Sequence, residues 1–172
     1  MTRYDIKNPK SFQDAVRGIE HKLQIKVDAV NESVVQAVAE CALDCLDRSV
    51  QRAPVESGDL RSSGYAKLNG SMYAQGHGDH SAAAGTSVVG TVPDGPRIDA
   101  EVGYSQKYAR RQHDDLSMRH DRTDGYRRKD GTTVNMVAGG EAKYLESVVV
   151  ENADKWGEHI KAAARQGFNK GE

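Results

Sequence analysis

The chain has 172 residues, with 24 Lys and Arg against 25 Asp and Glu, a formal net charge of -1 and 37% hydrophobic residues. That length suits one domain, 1–172, with a real core. The near-zero charge excludes a protein that holds nucleic acid through an overall basic excess, so any DNA contact must be local.

The first elements read as helix. Ser11 can cap a short helix running to about Leu23, with Phe12, Ala15, Val16, Ile19 and Leu23 at helical spacing, giving an N-terminal helical segment of about 1–24. A second helix is expected from about Ile25 to Gln51, with Val27, Val30, Val34, Val38, Cys41, Cys45 and Leu46 along one stripe. At about 1.5 Å per residue it would be near 40 Å long and would need a broad partner. Cys41 and Cys45 lie four apart on one helix face, which suits two small reduced core residues better than a disulfide. As a metal pair they lack a third and fourth ligand at recognisable spacing.

Pro54 ends this helix by lacking an N–H and clashing backwards, and Gly58 supplies a turn residue of positive φ. Extended backbone is expected from Asp59, with Leu60 to Leu68 alternating as one strand. Residues 69–95, rich in Gly, Ser, Ala and His, are too long and unpatterned for an ordinary hairpin turn and read as a long loop or projecting arm. A strand is expected within it at Ser87 to Val92, and another at Arg97 to Tyr104.

A short helix from Gln106 to about Asp114 is followed by a second long connection, 114–140. Between Lys107 and Asp130 there are eight Lys or Arg and five Asp, including Arg119, Arg122, Arg127, Arg128 and Lys129. These charges suit either a solvated loop that pairs locally or across a subunit contact, or a lining that touches DNA phosphates without reading bases. The last helix is expected from Glu141 to Gln166, with Leu145, Val148, Val149, Asn152, Trp156, Ile160, Ala163 and Ala164 on its stripe and Trp156 as a core anchor. The fold class is therefore α+β: a small, mainly antiparallel sheet packed against the long helix and the C-terminal helix.

Chemistry-bearing motifs are sparse. His77, Asp79 and His80 in the first connection, with His113, Asp114, Asp115, His120 and Asp121 in the second, could bind zinc or manganese and activate water, as in a metal-dependent nuclease. Their spacing matches no recognised metal motif. No phosphate-cradling loop ends in Lys-Ser or Lys-Thr, and there is no Gly-x-Ser-x-Gly elbow. The expectation is no enzyme, with no catalytic, cofactor-binding or metal residues assigned. No run approaches the roughly 18 apolar residues of a membrane span, and the Met1 to Asp5 start has no signal-peptide core, so a chain made in the cytoplasm is expected.

Three phrases occur in a fixed order: Ala53, Pro54, Val55, Gly58, Leu60 and Arg61; then Tyr108, Ala109, Gln112 and His113; then Ala142, Lys143, Tyr144, Leu145 and Glu146. Their order and separations, over roughly residues 30 to 165, resemble the neck or tail-completion family of long-tailed bacteriophages, minor proteins of head–tail joining. Glu56-Ser57 stands where that family carries Asp-Thr, and Asn69 to Asp94 forms an insertion. The resemblance implies a structural virion protein of the neck, made in the host cytoplasm: a ring, expected to be a homohexamer, between connector or stopper proteins and the tail tube or its terminator. Genomic DNA would pass through it with non-specific contacts, and no membrane or cofactor is involved. A tail-terminator ring subunit is the sister role, and His113 in this family view is a packing residue.

Overall fold

The structure, a computed structural model, describes residues 9–55, 58–77, 82–84, 97–117, 126–127, 133–134 and 140–170. Its main element is one 44-residue helix, α1, Pro9–Arg52. The break expected between Leu23 and Ile25 does not occur. That segment has no Pro or Gly to interrupt the ladder, and Gln24 Nε2 donates to Asp28 Oδ1 at 2.8 Å across the expected joint.

After α1 come α2 (Asp59–Ser62), β1 (Gly64–Leu68), β2 (Ser71–Gly76), β3 (Ala82–Ala84), β4 (Ala100–Tyr104) and α3 (Ala109–Asp114). Two short strands, β5 (Tyr126–Arg127) and β6 (Thr133–Val134), pair with each other, and α4 (Tyr144–Lys170) closes the described chain. The main sheet has the order β3-β2-β1-β4 and is antiparallel at every pairing. The architecture is α+β, with a small antiparallel sheet, a long N-terminal helix and a C-terminal helix, as the sequence predicts.

α1 has two working faces. Val35, Ala39, Ala42, Leu46 and Val50, spaced three and four apart, pack on Ala66, Leu68, Tyr73 and Ala74 of the sheet. The opposite face takes α4: Gly167 is buried against Ala29, Val30 and Ser33, and Trp156 Nε1 donates to Asp44 Oδ2 at 2.9 Å. The sheet-facing stripe thus differs from the expected Val27-to-Leu46 set. Alanines at 39 and 42 let β1 and β2 approach, and valines at 30 and 34 turn elsewhere.

Two further corrections concern the segment after the proline. Asp59 to Ser62 is a helical turn, not extended backbone: Ser62 N–H bonds to Gly58 O at 2.9 Å and Ser63 N–H to Asp59 O at 3.0 Å. The strand therefore begins at Gly64. Residues 69–95 are not a loop throughout, since Asn69 and Gly70, with φ of 49° and 80°, form the two-residue turn of a β1-β2 hairpin. Within it the register shifts between Ala66 and Lys67, which lets both Tyr73 and Ala74 reach the core. The strand expected at 87–92 lies outside the described residues. β4 starts at Ala100 instead of Arg97, and α3 at Ala109 instead of Gln106.

Candidate functional site

The three sequence phrases meet at the C-terminal end of α1. A helix end leaves carbonyls without intrahelical partners and carries partial negative charge. Arg61, 1% exposed, answers both needs: its Nε donates to Ala53 O at 2.9 Å and its Nη2 to Gln51 O at 3.2 Å. Burial pulls the guanidinium pKa down, yet an arginine of such high intrinsic pKa keeps its charge. Gly58, at φ 84°, turns the chain so that α2 can present Leu60 and Arg61 inward.

The residues that lead into the third phrase, and α4 beyond it, close the same end from the other side. The Glu141 N–H donates to Arg52 O at 2.9 Å, and the Arg52 guanidinium forks onto both Glu151 oxygens on α4. That fork raises the Arg52 pKa and lowers that of Glu151. Gly140 sits directly on Pro54, where a Cβ would fall 2.4 Å from the Pro54 Cα. No side chain fits between them.

The second phrase caps the start of α4. His113 Nε2 accepts the Glu146 N–H at 3.3 Å, one of the amides that a helix cannot satisfy in its first turn. Because Nε2 accepts, the ring proton belongs on Nδ1, which lies 2.8 Å from Asp114 Oδ1. Lys143, at a positive φ of 59°, donates its Nζ to Asp114 Oδ1 at 3.2 Å and pairs with Glu146 Oε2 at 2.9 Å. The His113 hydrogen bond and the Lys143 ammonium hold the Asp114 carboxyl down at about 2.

Tyr144 occupies the centre. It packs with Ala53, Leu60 and Ala109, stands edge-on to Tyr104 at 5.0 Å and to His113 at 5.1 Å, and donates its hydroxyl to Ala109 O at 3.3 Å. Burial pushes its phenol up to about 12. Beneath it the Ser49 hydroxyl donates to Leu46 O, leaving its oxygen to accept from Tyr104 at 2.8 Å. Sequence reasoning did not single out Ser49 or Tyr104 as partners, and no local motif marks them.

The remaining singled-out residues fall as follows. Leu145 is partly buried against this cluster, Ala142 precedes α4, and Tyr108 is 42% exposed beside it. Trp156 belongs to neither core cluster: it lies half-buried on the α1/α4 seam, because α4 meets α1 along a single face, and Tyr144 and Val148 are the fully buried anchors of α4. Val149, expected on the stripe, is exposed. Cys41 and Cys45 are free thiols, and burial pushes Cys45 up to about 11. Arg119, Arg122, Arg128 and Lys129 lie outside the described residues, as do Asp79, His80, His120 and Asp121, and Arg127 is described only as backbone of β5.

Among the described residues, no group of three or more His, Cys, Asp or Glu is placed to hold a metal ion. His77 is exposed at the end of β2, and His113 spends both ring nitrogens on Glu146 and Asp114. What the cluster does chemically is to tie two helix ends and a sheet corner together. No described helix is long and apolar enough to cross a membrane. Comparison with family models, curated proteins and solved structures finds no match for the chain.

Proposed function

We propose that this chain is a structural subunit of the bacteriophage head–tail interface, a neck protein whose copies form a ring that joins connector to tail and lets DNA through. The observation that carries the reading is the interlock itself: groups in the three phrases or directly beside them complete the helix ends that meet there. Arg61 serves the carbonyls of α1, Glu141 the Arg52 carbonyl, and His113 the first turn of α4. Residues used in this way build a frame, which suits a mechanical part.

The role assigned is mechanical. A closed ring repeats one heterologous contact by rotation, so one flank of the subunit must match a different flank of its neighbour. The frame fixes where the two long connections leave and rejoin, 78–96 between β2 and β4 and 118–139 between α3 and α4. Arg119, Arg122, Arg127, Arg128 and Lys129 of the second are assigned to phosphate contacts with passing DNA or to the neighbouring subunit.

Electron microscopy of the purified protein, alone and with connector and with tail tubes, tests the proposal. Rings that bind the connector support it, and rings that bind only the tail tube move the role to tail termination. Metal-dependent DNA cleavage lost on replacing His77, His80, His113 and His120 by Ala would overturn it.

A further inference from the structure

The β1-β2 hairpin turns on Asn69-Gly70, the one asparagine-glycine pair in the chain. Both residues hold positive φ, 49° and 80°, as a two-residue hairpin loop requires. Gly70 is exposed, and a Cβ built on it would meet nothing within 4 Å, so its backbone nitrogen is unhindered. An asparagine in that setting sits next to its own nucleophile: the side-chain amide is the electrophile, and the following nitrogen can close a ring upon it.

Asn69 also holds β4 in place. Its N–H donates to Asp99 O at 2.8 Å, and its Oδ1 accepts the Asp99 N–H at 3.0 Å. These two bonds add a rung to the β1-β4 ladder just beyond the pairing of Leu68 with Ala100. While the clasp stands, the Asn69 carboxamide is turned across to the β4 side and away from the nitrogen that would attack it.

We propose that Asn69 is a site of spontaneous deamidation and that the clasp on Asp99 sets its rate. The Gly70 nitrogen bonds to Asn69 Cγ, the Cγ–Nδ2 bond breaks, and ammonia leaves with the proton from that nitrogen. Water then opens the cyclic imide. Attack at Cγ restores the ordinary backbone with a carboxylate in place of the amide, and attack at the main-chain carbonyl leaves the chain running through the side chain as isoaspartate. Either product puts a negative charge beside the Asp99 clasp, and isoaspartate lengthens the turn by a methylene, so the end of the β1-β4 ladder loosens.

The helices supply internal controls. Asn31 in α1 and Asn152 in α4 precede Glu32 and Ala153, whose nitrogens are held within helix and carry a substituted Cα. The reaction is a property of this hairpin and does not rest on the neck reading.

Holding the full chain at mildly alkaline pH for weeks tests the proposal, with the tryptic segment from Leu68 to Arg97 followed by mass spectrometry and fragment ions locating the change. Conversion at Asn69 is expected, with Asn31 and Asn152 intact. The chain unfolded in guanidinium chloride should convert about tenfold faster or more, the equivalent of a local opening free energy of about 1.4 kcal/mol. Asp99→Pro deletes the N–H bonded to Oδ1 just ahead of β4, where proline is tolerated. It should speed the folded chain about two- to tenfold, the equivalent of one hydrogen bond, whereas Asp99→Ala keeps that N–H and should convert at the native rate. Should Asp99→Pro melt early, the folded and unfolded native chains still decide. An Asn69 that stays intact in the folded chain, equal rates in the folded and unfolded chains, or a folded Asp99→Pro chain that converts no faster would each overturn the proposal.

Discussion

The Arg61 guanidinium reaches back from α2 to the Ala53 carbonyl and, with its second nitrogen, to Gln51, so the side chain after the turn caps the helix before it. A proline stop would otherwise leave the Ala53 carbonyl buried and unmet. Arg61→Ala should therefore destabilise the fold by about 2 to 4 kcal/mol, combining a buried unsatisfied acceptor with loss of a cation at a helix C-terminus. Arg61→Lys, which lacks the planar fork, should recover less than half of that. Urea denaturation reads both, and a loss below about 0.5 kcal/mol for Arg61→Ala, the level of an ordinary surface change, would remove the cap from the account.

The contact between Gly140 and Pro54 makes a second expectation. Gly140→Ala sets a methyl against backbone that cannot move aside, at 2.4 Å from the Pro54 Cα. Overpacking of that kind costs about 1 to 3 kcal/mol. Gly157→Ala, in open space on α4, is the control and should be neutral or stabilising by up to about 1 kcal/mol. Equal melting temperatures for the two variants would contradict the close approach.

The two aromatic residues of α4 should behave differently. Tyr144 is wholly buried within the phrase cluster, while Trp156 lies on the seam with its indole N–H on Asp44. Tyr144→Ala should cost about 3 to 5 kcal/mol through an unfilled cavity, and Trp156→Ala distinctly less. The reverse order in thermal melts would restore Trp156 as the principal anchor.

Acid should loosen the start of α4 before the rest. The folded pKa of Asp114, at about 2, lies below the ordinary value of 3.8. Its contribution is thus fully present above pH 4 and disappears as pH falls through the folded value. Amide exchange of Leu145 to Ser147 should rise between pH 4 and 2, and Asp114→Asn should abolish that pH dependence. A flat profile in the native chain would mean that Asp114 does not brace the cap.

Alkali tests a second ionisable group of the cluster. Burial holds the Tyr144 phenol up at about 12, above the unfolded value near 10. The stabilisation is therefore complete below pH 10 and is lost as pH rises through 12. Tyr144→Phe should lessen the loss of stability in that window and leave the share of Tyr104, whose phenol burial also pushes up, as followed by tyrosinate absorbance and circular dichroism together. Ionisation of Tyr144 near pH 10 without unfolding would show that the site is wetter than its packing indicates.

What the residues determined by themselves is local. Pro54 had to stop a helix, Gly58 had to turn, and the helical spacing at either end of the chain had to give helices, though it divided α1 in two where the ladder runs on unbroken, because sterics and periodicity act within a few residues. Even the β1-β2 hairpin was written there in Asn69-Gly70, a two-residue turn signature hidden by the glycine-rich stretch that follows it. Tertiary structure decided the rest. That Ala39 and Ala42 form the sheet face, that Arg61 is buried beneath a helix end, and that His113 caps a helix thirty residues further on are facts of approach between distant segments. Composition cannot encode such approaches one residue at a time, since a small side chain or a hydrogen-bonding ring acquires its role only from what packs against it.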